Sequence, residues 1–491
     1  ALSEDDVAAW KPLLDEFNIT AVMIQPNGSP KTRAALSNSP HWVPFYDDGE
    51  TMIFGRADAP ATDLAYFKQN RLEPEYQAYK HSRPTPSTER PPSPVTWMDS
   101  IFRARALTRP NPHAEAARRW LQGGDAAAGG EASLPDPARC LMAVREARTA
   151  LASEPDDTEA FRVLAAAYRV LMAEETALLM GIKLTPENIA QVNQVRPRAD
   201  LLPTRNRQRA TALSYAIQTT PPPDNEADRR GLLNLNMELY QLFMASNMLD
   251  LARDRLQFIL EKSDKSDFTP EARAGISQEL SQLNDQVKKV QDQMEDFRVE
   301  QPQQFGYLQL AEYALSQGMP GLAIHELEEA ERTGTNPAVV KPRLLDLYCE
   351  TGQPEKAVEA LSGGNIEDPS FGTEPGIAAM RHGRAYFLTG NADCAATIWE
   401  KVAIPRLRAD RSGRALSATQ GVIQGDAKGA VARLLEIPEK VRLQASWEFE
   451  AGLCRLEAGM PDQAAEHFTK ALTLYPNATV RPVIAYYLEK L

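Results

Sequence analysis

Residues 445–477 read ASWEFEAGLCRLEAGMPDQAAEHFTKALTLYPN, and the spacing inside this stretch decides the fold. Small and apolar residues recur every three or four positions on both sides of Gly459-Met460-Pro461. That is the pattern of two amphipathic helices joined by a tight turn. Glycine at the end of the first helix supplies a left-handed turn that costs any side chain energy, and proline opens the second helix, where no N–H is needed. Ala464, five residues past the glycine, lets the two helices approach. Phe468, one turn further along the same face, is aimed at the next unit.

The same glycine-to-alanine step occurs upstream at Gly318/Ala323, Gly352/Ala357, Gly390/Ala395 and Gly425/Ala430, so the alanines lie 34, 38, 35 and 34 residues apart. Four residues past them stand Leu327, Leu361, Trp399, Leu434 and Phe468. Twelve residues before them, at the contact position of each first helix, stand Ala311, Leu345, Gly383, Ala418 and Gly452. A fixed period of this length implies stacked helix pairs that bury their faces on one another. These features resemble the tetratricopeptide repeat (TPR) family, with Gly452, Gly459, Ala464, Phe468, Ala471 and Pro476 at its signature positions. The resemblance covers residues 304–478, and a helix at about 479–490 resembles the capping helix of such stacks. The fold class it implies is mainly α, a TPR-like α-solenoid with a small N-terminal α/β unit. Residues 304–491 are expected to form five TPR-type repeats and the capping helix.

Residues 111–300 carry the same logic more weakly. Phe161, Leu164, Ala165 and Tyr168 fall at first-helix positions, and Leu239, Tyr240, Phe243, Ala252 and Leu256 suggest another pair. Prolines at 186, 197, 203 and 221–223 break the period, so an insertion is expected at 176–230. Ile276, Leu280, Leu283, Val287, Val290 and Met294 mark one long helix at 270–299, read as lying on the solenoid, with a short coiled-coil arm as the alternative.

Residues 1–58 read differently. A helix at about 4–17, an apolar strand at 19–24, and the runs Trp42–Tyr46 and Thr51–Phe54 around Asp47-Asp48-Gly49-Glu50 predict a small α/β unit with a hairpin. This stretch resembles the soluble C-terminal tail of polytopic membrane glycosyltransferase-like proteins. The resemblance implies an extracytoplasmic (periplasmic) piece of a bacterial membrane-associated protein. The chain opens on Ala1, and the expectation is a part of a longer product. Residues 59–110 hold a Pro-rich linker at 82–94 and an amphipathic helix after it, expected to dock on the solenoid.

Composition narrows the function. The net charge of -13 disfavours a nucleic-acid partner. No run approaches the roughly 18 apolar residues of a bilayer span. Cys140, Cys349, Cys394 and Cys454 are widely spaced and read as buried thiols, and the six histidines stand singly. No phosphate loop, nucleophile elbow or metal motif is present, so neither enzyme activity, cofactor nor metal is expected. Asp47-Asp48 reads as turn chemistry. Arg196, Arg198, Arg205, Arg207 and Arg209 either hold an anion or pair with the acidic solenoid, the second being the preferred reading.

What remains is a non-catalytic TPR scaffold for a protein or peptide partner, with a membrane module or membrane protein as a candidate. The resemblance places the partner in the groove lined by first helices. Its candidate residues are Phe305, Leu308, Val339, Ile377, Met380, Arg384, Phe387, Phe449 and Leu453, accompanied by Glu312 and Asp346. The alternative function is a regulatory or substrate-presenting tail of a membrane glycosyltransferase, and the alternative location is cytoplasmic.

Overall fold

The structure, a computed structural model, describes residues 11–25, 30–37, 39–47, 51–86, 111–122, 136–185, 192, 203–264, 266–302, 304–362, 375–423 and 427–491. The amphipathic helix expected after the Pro-rich linker, Arg196, Arg198, Asp48 and the turn at Gly425 lie outside these residues.

The N-terminal unit is a three-stranded antiparallel sheet of β1 (Ala21–Ile24), β2 (Trp42–Asp47) and β3 (Met52–Arg56), in the order β1-β3-β2. The hairpin pairs Trp42 with Arg56 and Asp47 with Met52, with a bulge between Pro44 and Tyr46. Leu36 and Phe54 are fully buried with Ile24 in its small core. The helix Ala61–Gln69 packs on β2 and the central strand β3, so this unit runs past residue 58. Phe67 lies over Gly55, where an added Cβ would stand 2.2 Å from its ring. Phe67 also stacks on Phe45 at 4.8 Å.

The rest of the described chain is helical. Pairs join at turns where Gly318, Gly352, Gly390 and Gly459 all have positive φ. Helices Tyr307–Ser316 and Pro320–Arg332, Pro337–Glu350 and Pro354–Ser362, and Pro375–Leu388 and Ala392–Ile398 form three such pairs. The expected five separate pairs are modified beyond that point. A π-turn at Trp399–Ala403 carries the third pair straight into the helix Ile404–Ile423, and Ala427–Glu457 is one helix of 31 residues. The Ile404 N–H bonds the Trp399 carbonyl five residues back. Pro405 has no N–H to donate, and the widened turn absorbs that gap in the ladder. Pro461–Leu474 and Arg481–Lys490 close the chain.

The contact positions read from the sequence explain the close packing. A Cβ on Gly383 would stand 2.2 Å from the Trp399 indole, and one on Gly452 would stand 2.6 Å from the Phe468 ring. Another turn of the same kind joins Glu226–Ala245 to Leu249–Lys262, with Asn247 in the left-handed position. Asn is among the few residues that tolerate this conformation. This turn stacks on the Gly318 turn through a Leu249 N–H to Gly318 carbonyl bond of 2.8 Å. The long helix Pro270–Glu300 lies along the solenoid, burying Leu283 in one core cluster and Val287, Val290 and Met294 in the next.

Candidate partner surface

The region read as an insertion supplies part of the interior. Pro203–Thr219 is a helix buried along most of its length between Thr158–Met180 and Glu226–Ala245. Its arginines are neutralised. Arg205 binds Glu175 at 2.8 Å and also Glu457, Arg207 binds Glu350 at 3.2 Å, and Arg209 binds Glu238 at 3.1 Å. For these three residues the pairing with the acidic solenoid therefore holds, and they offer no anion site.

The Glu457 contacts bring the two ends of the helical array together. Its carboxylate is fully buried and accepts from Arg148, Arg205, both oxygens from Gln208 at 2.9 Å, and Tyr168 at 3.2 Å. Tyr487, from the last helix, donates to Glu175 at 2.6 Å and stacks on Phe468. Two guanidiniums thus face two carboxylates, the balance a buried charge cluster needs if desolvation is not to win. Arg145 instead caps the backbone carbonyls of Gln77, Ala78 and Leu456 at 2.7–2.8 Å. Burial pushes its pKa down to about 10. The start of the Pro-rich segment crosses this seam: Arg83 and Thr85 N–H groups bond the Gly459 and Ala458 carbonyls. A Cβ on Gly459 would stand 2.1 Å from the Arg83 carbonyl oxygen.

This closure changes the groove assignment. Met380, Phe387, Phe449 and Leu453 are 2%, 1%, 6% and 1% exposed and belong to the core. The reason is direct: Met380 and Phe387 pack with Trp399 and Trp447, Phe449 and Leu453 join the cluster of Phe468 and Tyr487, and the Arg148 guanidinium of the helix Pro137–Ser153 stands 5.2 Å from the Phe387 ring centre. Arg384 is spent on Glu450 at 2.8 Å. Ile377 and Leu308 are half-buried against neighbouring clusters, and Phe305 stacks on Phe297 at 4.4 Å. Val339 is 37% exposed, and Glu312 is exposed and paired with Arg343. Asp346 binds Arg381 at 2.8 Å. The nine candidates do not line one continuous open groove.

Exposed apolar side chains gather elsewhere. The hairpin of Ile404–Ile423 and the first turns of Ala427–Glu457 exposes Leu416, Val431 and Leu435 by 61%, 54% and 72%. Val431 and Leu435 are one helical turn apart, and in the antiparallel pairing Leu416 stands level with them. Residues 404–442 hold eight basic and four acidic residues, a net of +4 in a chain of -13. The charge pattern and the three exposed residues were both in the sequence. The repeat register drew attention to their neighbours Ala418, Ala430 and Leu434 instead.

No group of three or more His, Cys, Asp or Glu that could hold a metal occurs among the described residues. No disulfide joins the four cysteines, of which Cys394 is only half-buried, and burial pushes the Cys349 thiol up to about 12. His467 is packed between Glu448 at 2.7 Å and Glu400 at 3.1 Å. Burial works to lower its pKa, and these two hydrogen bonds outweigh it and raise it. No described helix is long and apolar enough to cross a membrane.

Residues 448–478 match the family model described as tetratricopeptide repeat. No curated protein sequence matches the chain. Among solved structures, the chain is similar to the APC/C hetero-tetramer Cut9–Hcn1, at 14% identity and TM-score 0.22, over 80% of this chain and 86% of that one. It is also similar to the P58(IPK) TPR domain, at 12% identity and TM-score 0.21, over 77% and 97%. At these scores the course of the whole chain is not shared. By fold the chain is a TPR-like α-solenoid with a small N-terminal α/β unit, and its helix pair at 448–478 matches the tetratricopeptide repeat family.

Proposed function

We propose that this protein is a non-catalytic interaction scaffold whose partner docks on the outside of the helical array, at the hairpin 404–442. One observation carries the reading: Leu416, Val431 and Leu435 are all exposed, on a basic hairpin whose two helices the Arg414–Glu436 pair sets level, in an acidic molecule. Clustered exposed apolar residues mark docking sites, because an isolated chain gains nothing by hydrating them. The surrounding charge selects an acidic amphipathic protein segment. A photo-crosslinking residue at position 416 or 435 should trap a partner in the source cell, and one at the buried position 380 should not. With the photo-crosslinking residue at position 431 instead, Leu416→Ser with Leu435→Ser should abolish the cross-link and leave the unfolding temperature unchanged. Equal labelling at 380 and 416, or a partner retained by the double variant, would refute the hairpin as the site.

We also infer an extracytoplasmic position beside a membrane module. The resemblance of residues 1–58 to the tails of membrane glycosyltransferase-like proteins supports this, with a tail serving the glycosyltransferase itself as the second form of the reading. Protease digestion of intact and permeabilised source cells tests it. Protection in intact cells whose outer layer has been opened would place the chain in the cytoplasm instead.

A further inference from the structure

A cleft of about 290 Å³ lies between the N-terminal sheet unit and the helices Pro112–Gln122 and Pro137–Ser153. Its walls carry Arg33, Arg119 and Arg139, with Trp120, Pro44 and Met52 as apolar surface. Arg119 is committed to Asp47, with Nε 3.3 Å from the carboxylate, which ties the sheet to the helix. Arg139 stands 3.6 Å from the half-exposed Asp136. Three guanidiniums therefore meet two carboxylates. The remaining cation is Arg33, which has no carboxylate within salt-bridge distance among the described residues. Burial, and next the positive charge of Arg119, lower its pKa, opposed by Asp47. A half-buried guanidinium facing another one, beside an indole, is an arrangement that an anion would relieve.

We propose that this cleft binds a small molecule carrying a carboxylate or phosphate group on an apolar body. The anionic oxygens meet Arg33 and Arg139 and the body lies against Trp120 and Met52. A guanidinium supplies paired N–H donors to either kind of oxyanion, and the cleft has room for a ligand of drug-fragment size. Nothing in this reading depends on the hairpin 404–442, so either can fail alone.

Phenyl phosphate and benzoate test it by isothermal titration calorimetry on the whole chain. At least one should bind saturably, with affinity falling as salt is raised, while phenol gives no heat. Arg33→Ala should weaken binding by roughly tenfold or more, and Arg33→Lys should restore part of it. Circular dichroism and the unfolding temperature establish that the variants are folded. No saturable heat from either anion, or equal affinity in a folded Arg33→Ala protein, overturns the proposal. Should Arg33→Ala misfold, Trp120→Phe and Arg139→Ala serve in its place, and unchanged affinity in both overturns it equally.

Discussion

Arg148 and Arg205 sit in the seam between the ends of the array, where Glu175 and Glu457 match them charge for charge in complete burial. Arg33, Arg119 and Arg139 line an open cleft with one charge left over. Both groups are arginines on or beside the same helices, and composition alone gives them equal standing. The difference lies in what the fold brings to them. In the seam it delivers the Glu457 carboxylate from far along the chain, 252 residues from Arg205. In the cleft it leaves room for a partner the chain does not contain. Satisfied buried charge holds a fold in one arrangement, and unsatisfied half-buried charge is a feature to be explained by binding.

The comparison is broken most severely at Glu457. Glu457→Ala leaves two buried guanidiniums without their shared acceptor, and stability should fall by about 3–5 kcal/mol in urea unfolding. A loss below about 1 kcal/mol would show that water enters the seam and that burial there is not real.

His467 gives an intermediate case. It is held between two carboxylates, and its raised pKa means its stabilisation is complete below the ordinary imidazole pKa. That stabilisation is lost as pH rises through the raised folded value. The neighbouring Glu400 is the reverse. Burial would raise its pKa, but bonds from His467 and Arg455 hold it down at about 2, so its contribution is lost as pH falls below the carboxylate range. The difference in stability between wild type and His467→Gln should be of order 1.5–3 kcal/mol at mildly acidic pH and shrink toward alkaline pH. His382, whose pKa burial lowers to about 4, is common to both proteins and cancels. A difference that grows with pH would contradict the assignment.

The smallest effect is expected in the cleft. Arg33→Ala removes no matched pair, and unfolding should shift by no more than about 0.5 kcal/mol in either direction. A loss comparable to that of Glu457→Ala would make Arg33 a structural residue and erase the contrast.

The helix-pair turns were legible because a left-handed turn demands a particular residue, and Gly318, Gly352, Gly390 and Gly459 supply it. The Asn247 turn was passed over by a search for glycine, although Ala252 follows it by the same five residues. The strand pairing of Trp42–Asp47 with Met52–Arg56 was likewise local and readable. The fusion of units through Trp399–Ala403 and along Ala427–Glu457 was not, since a repeat alignment marks where turns are favoured and is silent where a helix simply continues. The groove failed for a different reason. Met380 and Phe387 have the spacing of an open face, but Trp399, Trp447 and Ala451 of the following helices pack with them, and Arg148 lies over Phe387. Arg148 and Phe387 are about 240 residues apart, and a partner so distant has no local signature.

The Ser82–Pro86 strap over the Gly459 turn bears on the order of events during folding. Ser82 and Gly459 are 377 residues apart, and Glu175 and Tyr487 are 312 apart. Contacts of such separation repay their loop-closure entropy only after much of the intervening chain is in place. Synthesis delivers the N-terminal side first, so Arg148, Glu175 and Arg205 emerge long before Glu457 and Tyr487. During that interval their hydrophobic neighbours Tyr79, Leu141 and Leu171 lack the C-terminal helices that later cover them. The seam is therefore expected to close late, and the unfinished chain is the state most in need of a chaperone.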